Sequence, residues 1–388
     1  MEPVLKVGVA GLGSVSRTVL PNMEHVPNVK LTAVADLREE PLEQARKRYG
    51  VETYTSVEAM CESSNVDAIW VCTPNLFHTE HTITAAEHGK HVICEKPMAL
   101  TLDQAQKMVD AIDRNGVRYV QGHSKIFDPP IRRIREIIAS GELGRLIQLN
   151  TWMYKPWLSG APRLESEVDF NVGGGVLYRQ GPHQADLVRG IGGGMVKSLR
   201  ANVGCWDPNF PLGEGNFTAF LEFEGGAIAT MAFNGYGYFN ITELTWGINE
   251  GGGAPVDSNR RGEQFAGAVE PDTKYAWAEV RAEAERTRER KHQPFFGLTI
   301  ASCERGDIRQ SPDGLYLYDR DGQREITLDP KGHGRGELIE MRDALKEDRP
   351  SFPEARWGMA TLEVILAIRE SSDAGKEVTL SHQVPSPD

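Results

Sequence analysis

The chain has 388 residues, of which 40% are hydrophobic and 25% charged, the make-up of a folded globular protein long enough for two or three domains. Its 55 Asp and Glu against 43 Lys and Arg leave a formal net charge of −12, which argues against non-specific binding to nucleic acid or to an anionic membrane surface. No apolar run reaches the ~18 residues of a membrane span, no signal-peptide pattern opens the chain, and the 5 cysteines (Cys61, Cys72, Cys94, Cys205 and Cys303) lack metal-ligand spacing, so a cytoplasmic protein without a metal site is expected.

Val4 to Ala10 reads as a buried strand, Gly11-x-Gly13-x-x-Ser16 follows, and Val15, Val19, Leu20 and Met23 then recur at helical spacing. In this strand, turn and helix, Gly11 permits the tight turn and Gly13 lets the backbone approach a pyrophosphate, whose charge the helix N-terminus stabilises. Ser14, Val15 and Ser16 complete the loop, with Ser16 standing where Gly or Ala usually allows close packing of helix on strand. A second strand, Leu31 to Ala35, ends in Asp36, 20 residues beyond Ser16, where an acid for the adenosine ribose is expected. Asp36 favours NAD by accepting from the ribose hydroxyls, whereas Arg38 would attract the 2′-phosphate of NADP. NAD is therefore the expected cofactor and NADP the alternative.

Ala68 to Cys72 is a third strand, interrupted by Thr73-Pro74-Asn75, after which Phe77 to His88 reads as a helix. His91 to Cys94 is a fourth and runs into Glu95-Lys96-Pro97. Open parallel sheets bind ligands beyond the carboxyl ends of their strands, which makes Thr73, Pro74, Asn75, His78, Glu95 and Lys96 candidates for one cofactor-binding rim. A partly buried lysine there can donate to a substrate hydroxyl, and desolvation brings its pKa toward the range useful for proton transfer. Thr101 caps a helix from Leu102 to Asn115, with Gln104 completing a capping box, and Arg118 to Gln121 is the last strand. Strand and helix alternating in this way predict a doubly wound parallel sheet, a Rossmann α/β domain over residues 1–128.

From Asp128-Pro129-Pro130 the pattern changes. A helix over 131–140 precedes strand-like runs at 146–155, 197–206, 216–223, 227–234 and 241–246, too closely spaced for crossover helices. An α+β domain over residues 129–388 with a large, open, mainly antiparallel sheet is expected. Gly173-Gly174-Gly175 leads to Tyr178-Arg179-Gln180-Gly181-Pro182-His183, where Arg179 and His183 share a face if the segment is one helix. A neutral histidine suits removal of a proton from an alcohol. Residues 247–294 form an excursion with a Gly251-Gly252-Gly253 loop and a charged helix over 274–291, whose thin apolar stripe is Ala276, Val280 and Ala284. It would pack on a neighbouring subunit, cover the active site, or remain solvated.

The Gly-rich first turn, Thr73-Pro74-Asn75-x-x-His78, Glu95-Lys96-Pro97 and Gly181-x-His183-x-x-Asp186, in this order, resemble the Gfo/Idh/MocA oxidoreductases. The resemblance implies hydride transfer between a nicotinamide and a secondary alcohol or its carbonyl, with Lys96 and His183 matching the family's catalytic lysine and histidine. Many members carry Asp four residues before the His; this chain has Arg179. An arginine stays charged and needs an anionic partner, either a substrate carboxylate or one of Glu165, Glu167 and Asp169. With Lys155 and Arg163, and with Tyr154, Trp157 and Tyr178 as flat surfaces, the residues suggest an anionic cyclic substrate. Tyr154-Lys155-Pro156-Trp157 and Tyr178-Arg179-Gln180 are similar to the phthalate cis-dihydrodiol dehydrogenase branch, which implies oxidation of a carboxylated cis-dihydrodiol such as phthalate 4,5-cis-dihydrodiol to 4,5-dihydroxyphthalate. A sugar or inositol dehydrogenase and a non-catalytic dinucleotide sensor are the alternatives. The resemblance also implies a homo-oligomer, dimer or tetramer, built through the C-terminal sheet.

Overall fold

Continuous apolar runs in the first third become strands buried on both faces, because helices cover both sides of the sheet they form. The computed structural model describes residues 3–253, 265–286, 290–330 and 336–387. In chain order the first strands and helices are β1 (Leu5–Ala10), α1 (Ser16–Met23), β2 (Val29–Ala35), α2 (Glu39–Tyr49), β3 (Glu52–Tyr54), α3 (Val57–Cys61), β4 (Ala68–Val71), α4 (His78–Glu87), β5 (His91–Glu95), α5 (Leu102–Asn115) and β6 (Tyr119–Gly122). Their sheet has the order β3-β2-β1-β4-β5-β6, parallel throughout. This is the doubly wound order with its switch point between β1 and β4. Val7, Val9, Ile69, Val71, Val92 and Ile93 are solvent-free in its centre. At roughly 1.5–3 kcal/mol for each such side chain, their burial outweighs the order imposed on short strands.

The capping expected at α5 is present. The Thr101 hydroxyl accepts from the Gln104 amide at 3.2 Å, while the Gln104 side chain reaches one residue further back than a standard box, to the Leu100 N–H at 3.0 Å. Sequence periodicity placed no strand at β3, whose three residues are too short to show one.

The remaining elements are α6 (Pro129–Ser140), β7 (Leu146–Tyr154), α7 (Glu165–Val168), α8 (Gly175–Arg179), α9 (Gly181–Ile191), β8 (Val196–Gly204), β9 (Asn216–Phe223), β10 (Ile228–Asn234), α10 (Pro271–Arg286), β11 (Leu298–Cys303), β12 (Gly306–Ser311), β13 (Gly314–Asp319), β14 (Gly322–Thr327), α11 (Gly336–Lys346), α12 (Ala355–Ala374) and β15 (Val378–Thr379). Among the described residues the second sheet has the order β14-β13-β12-β11-β7-β10-β9-β8-β15. It is antiparallel apart from one parallel pairing, β7 with β10. The run at 241–246 is not a strand but a 3-10 turn over Ile241–Thr245, which the Asn240 side chain opens by accepting from the Thr242 N–H at 3.1 Å.

Buried residues alternate along β9, β10 and the second half of β7. Leu149, Met153, Met231, Phe233, Phe217 and Leu221 point to a core shared with Ile365 and Ile368 of α12. Trp152, Phe220 and Ile300 belong to the opposite, outward set.

The chain divides into two compact units: Met1–Ser124, Tyr275–Thr287 and Gly334–Leu362 form one, and Lys125–Lys274, Arg288–His333 and Glu363–Asp388 the other. A single cut near residue 128 thus describes only the first change of unit, because two later segments return to the parallel-sheet unit. Within the excursion, residues 254–264 and 287–289 lie outside the described residues, as does the side chain of Ala284. On the described part of α10 the buried residues are Lys274 and Ala278, whereas Ala276 and Val280 of the expected stripe are exposed. Among the described residues no helix is long and apolar enough to cross a membrane, and no group of three His, Cys, Asp or Glu is placed to hold a metal ion.

Candidate active site

The first unit presents its strand ends as one rim. Beyond β1, Gly11 donates to the Ala35 carbonyl at 2.8 Å with φ +92°, and a Cβ there would lie 2.9 Å from the Cys72 and Thr73 backbone. Only glycine fits. Gly13 differs: nothing lies within 4 Å of where its Cβ would point. That open side is what a backbone needs if a pyrophosphate is to approach it, so this loop fits a dinucleotide. Ser16, buried, turns its hydroxyl onto the Gly13 carbonyl at 2.9 Å and fastens the loop to the first turn of α1, while Val15 caps that helix and stays partly exposed.

Asp36, at the end of β2, accepts from the Leu12 N–H at 2.7 Å and from the Arg38 amide at 2.9 Å. The Arg38 guanidinium adds two bonds, Nε at 3.0 Å and Nη2 at 3.1 Å, and also reaches the Leu12 carbonyl at 3.1 Å. Burial alone would push the Asp36 carboxyl up; the bonds from Arg38 and Leu12 outweigh it and hold the pKa below the ordinary value. The two residues that sequence reasoning set against each other over NAD and NADP are therefore an ion pair.

His78 is fully buried rather than solvated. Its Nδ1 lies 2.7 Å from the Pro97 carbonyl and its Nε2 2.9 Å from the Thr73 carbonyl. Both acceptors are carbonyls, so only the doubly protonated ring makes both bonds. The ring ties the Thr73-Pro74-Asn75 turn to the Glu95-Lys96-Pro97 turn. Thr73 also bonds His81 at 2.9 Å, and Asn75, buried, starts the 3-10 turn that leads into α4. From the other side Gln121 of β6, wholly buried, donates to the Cys94 carbonyl at 3.0 Å and to the Glu95 carbonyl at 3.2 Å. Lys96, half-buried, thus projects from a backbone gripped before and after it. Gln121 stands next to last in its strand, near the ligand-facing end, the one signal in the sequence that would have marked it.

In the second unit, α8 ends at Arg179 and α9 starts at Gly181, with Gln180 at φ −121° between them. Arg179 and His183 consequently do not share one helix face, because the chain breaks helical geometry where Gly181 and Pro182 restart it. Gln184, buried, donates to the Thr151 carbonyl at 3.0 Å and to its hydroxyl at 2.9 Å, which pins α9 to β7 one residue after His183. The His183 ring meets Phe296 edge-on at 5.4 Å. Lys155 and Lys125 lie over the same Phe296 ring, at 5.6 and 5.8 Å. Lys155 forms an ion pair with Glu250, and Lys125 lies 4.0 Å from that carboxylate. Desolvation pulls the Lys155 pKa below the ordinary lysine value, Glu250 opposes it, and Lys125 and Arg163 add to the fall.

Arg179 has an internal partner, one of the acids considered from sequence: its Nη2 is 3.0 Å from Glu167 Oε1. Lys274 lies 3.0 Å from the other oxygen. Burial would raise the Glu167 carboxyl, but Arg179, Lys274 and Arg163 hold it down to about 2. Arg163 acts on both clusters, since its charge also depresses Lys155. It covers the Trp157 ring at 4.1 Å and donates to the Trp157 carbonyl at 2.7 Å. Tyr178 packs on Phe170 at 5.1 Å, and burial pushes its hydroxyl up to about 12. Tyr154, on the face opposite Met153, meets Phe239 at 5.7 Å. The three aromatic residues expected to offer flat surfaces thus each make a different ring contact. Lys125, Glu250, Lys274 and Phe296 carried no recognisable spacing and emerge only from the fold.

Known proteins carry the same pattern. A family model for the Gfo/Idh/MocA oxidoreductases with an NAD-binding Rossmann fold matches residues 5–123, and the model of that family's C-terminal domain matches residues 131–242. The chain belongs to the Gfo/Idh/MocA family. It is similar along its length, 29% identical over 380 residues and 94% of both chains, to 1-carboxy-3-chloro-3,4-dihydroxycyclohexa-1,5-diene dehydrogenase of Comamonas testosteroni. A solved structure from Bordetella bronchiseptica RB50, described as that of a dehydrogenase, is 34% identical with a TM-score of 0.84, covering 97% of this chain and 100% of that one. Myo-inositol 2-dehydrogenase of Thermotoga maritima is 29% identical over 199 residues, 51% of this chain and 58% of that protein. As a member of the family, the chain is an NAD(P)-dependent oxidoreductase acting on a small molecule.

The two glycines of the first loop make opposite predictions. Gly11→Ala should destabilise the protein by at least about 1–2 kcal/mol through its left-handed backbone. Gly13→Ala should leave the melting temperature of the cofactor-free protein unchanged and weaken NAD+ binding by about tenfold in a calorimetric titration. Equal melting losses in both would contradict the open approach at Gly13. A second prediction concerns acid. Because the folded-state pKa of Glu167 lies below its ordinary 4.5, its cluster stabilises the fold above that value and loses the contribution as pH falls toward 2. The contribution is on the order of 3 kcal/mol. The stability gap between wild type and Glu167→Gln in urea melts should therefore shrink steadily below about pH 5; a gap independent of pH would sink this account.

Proposed function

We propose that the protein oxidises a carboxylated cyclic cis-diol, of the class of phthalate 4,5-cis-dihydrodiol, to the corresponding catechol. The observation that carries this reading is charge: among the described residues, Lys125, Lys155, Arg163, Arg179 and Lys274 gather around Glu167 and Glu250, in the unit that holds His183 and in a chain of formal net charge −12. A neutral sugar gives no return for gathering so much positive charge; a substrate carboxylate does, at roughly 1.5–3 kcal/mol per charge-assisted contact. The Comamonas relative is named for a substrate with both features, a carboxyl group and a vicinal diol.

In this mechanism Lys96 donates a hydrogen bond to the reacting hydroxyl and His183 removes its proton. The nicotinamide, when bound, supplies the hydride acceptor. Loss of one proton and one hydride leaves a ketone, whose tautomer is the aromatic catechol, so the oxidation runs downhill. Arg179 and Arg163 orient the carboxylate, with Glu167 holding both guanidinium groups in place while the site is empty of substrate. Lys155, its pKa lowered, stands beside Phe296 and His183 and supports proton exit. Asp36 receives the ribose hydroxyls, which favours NAD over NADP.

The test follows reduced-cofactor absorbance with a carboxylated cis-dihydrodiol, its uncharged parent diol, myo-inositol and a hexose. The carboxylated diol should exceed the uncharged one by about 10- to 100-fold in kcat/KM. Lys96→Ala and His183→Ala should each lower kcat by ~10²–10⁴, and Arg179→Ala should raise KM for the carboxylated substrate alone. A preference for inositol or hexose would return the protein to the sugar-dehydrogenase reading. Cofactor binding without turnover of any of the four would favour a sensor.

The outward face of the second sheet supports assembly. Trp152 and Phe220 are 41% and 40% exposed on it, and Ile300 shares that side. A sheet face this apolar suits a second copy of the chain. Trp152→Glu should convert the dimer or tetramer to a smaller species in light scattering; an unchanged mass would exclude this face.

A further inference from the structure

Helix α10 returns from the excursion to the parallel-sheet unit, and two of its side chains meet the adenosine corner of the rim. Tyr275 lies against the Arg38 guanidinium, 4.8 Å from ring centroid to Cζ. One turn on, Glu279 forms an ion pair with Arg17, the residue after Ser16 in the first turn of α1. Arg17 and Arg38 flank the Gly-rich loop and Asp36 respectively, so the helix is fastened at both edges of that corner. Ala278, between the two contacts, is buried.

What Tyr275 touches is the group on which cofactor choice turns. The Arg38 fork is directed onto Asp36 at 3.0 and 3.1 Å and onto the Leu12 carbonyl at 3.1 Å. In that position its charge is spent on the Asp36 carboxylate and is withheld from the corner. Turned outward, the same guanidinium would bind a 2′-phosphate. Arg38 is 40% exposed along its side chain, so neighbouring contacts decide between these positions. An aromatic face against the guanidinium plane favours the inward one, because a planar cation stacked on a ring must leave the ring to swing out.

We propose that Tyr275 is a positioning residue for cofactor choice: by stacking on Arg38 it keeps the guanidinium on Asp36, and the corner takes a ribose diol in preference to a 2′-phosphate. Glu279, through Arg17, fixes the helix that carries it. This rests on the reading of the rim as a dinucleotide site and assigns a role to the excursion that its sequence did not disclose.

Dissociation constants for NAD+ and NADP+, measured by calorimetry on the full-length protein, provide the test. Tyr275→Ala should lower the preference for NAD+ over NADP+ by about two- to fivefold, the worth of an exposed cation–π contact. Tyr275→Phe, which keeps the ring, should behave as wild type. Glu279→Gln, which leaves Tyr275 intact and loosens its helix, should shift the preference in the same direction by less. An unchanged ratio in Tyr275→Ala overturns the proposal, as does a Tyr275→Phe shift equal to that of Tyr275→Ala. If Tyr275→Ala does not fold, an unchanged ratio in Glu279→Gln has the same force. Failure of the wild-type protein to bind either dinucleotide would instead overturn the site reading beneath it.

Discussion

A single buried carboxylate, Glu167, governs the charged wall of the second unit. Arg179 and Lys274 each reach one of its oxygens at 3.0 Å, and Arg163 adds its field. Without it, three cations would face one another where water is scarce, at a cost of several kcal/mol for each buried charge. With it, they hold fixed positions. The same logic recurs at Lys125, Lys155 and Glu250 around Phe296, next to the His183 ring.

The first unit solves a different problem, that of holding a lysine steady at the end of a strand. Lys96 needs freedom at its tip and rigidity at its root. His78 grips the Pro97 carbonyl after it and Gln121 the Cys94 and Glu95 carbonyls before it, all from positions without solvent. Buried hydrogen bonds of this kind cost more to break than they contribute on formation, which makes the rim stiff. His78 serves the turn at Thr73 as well, so one buried ring ties the Thr73 and Pro97 turns together.

Much of this was legible in advance. The doubly wound parallel sheet follows from apolar runs alternating with helical spacing, and the Gly11-x-Gly13 turn follows because only glycine tolerates the close backbone approach at Gly11. Lys96 and His183 were visible through the motifs around them. Other residues misled for identifiable reasons. Ile241 to Trp246 has the composition of a strand, yet Asn240 folds it into a 3-10 turn by a side-chain bond that hydropathy does not register. Arg179 and His183 sit at helical spacing, but Gly181 and Pro182 restart the helix between them.

The sequence by itself determined the family, the parallel sheet and the glycine loop. Each depends on interactions between near neighbours in the chain, where spacing is a faithful record of geometry. Tertiary structure alone decided which carboxylate meets which cation. Glu167 and Lys274 are 107 residues apart, Lys155 and Glu250 are 95, and Tyr275 meets Arg38 from within the excursion. Such pairs are set by how elements pack, and a charge does not announce its partner along the chain. Hydride chemistry is implied by motifs that near neighbours compose, whereas the choice of Glu167 over Glu165 and Asp169 as the partner of Arg179 had to await the fold.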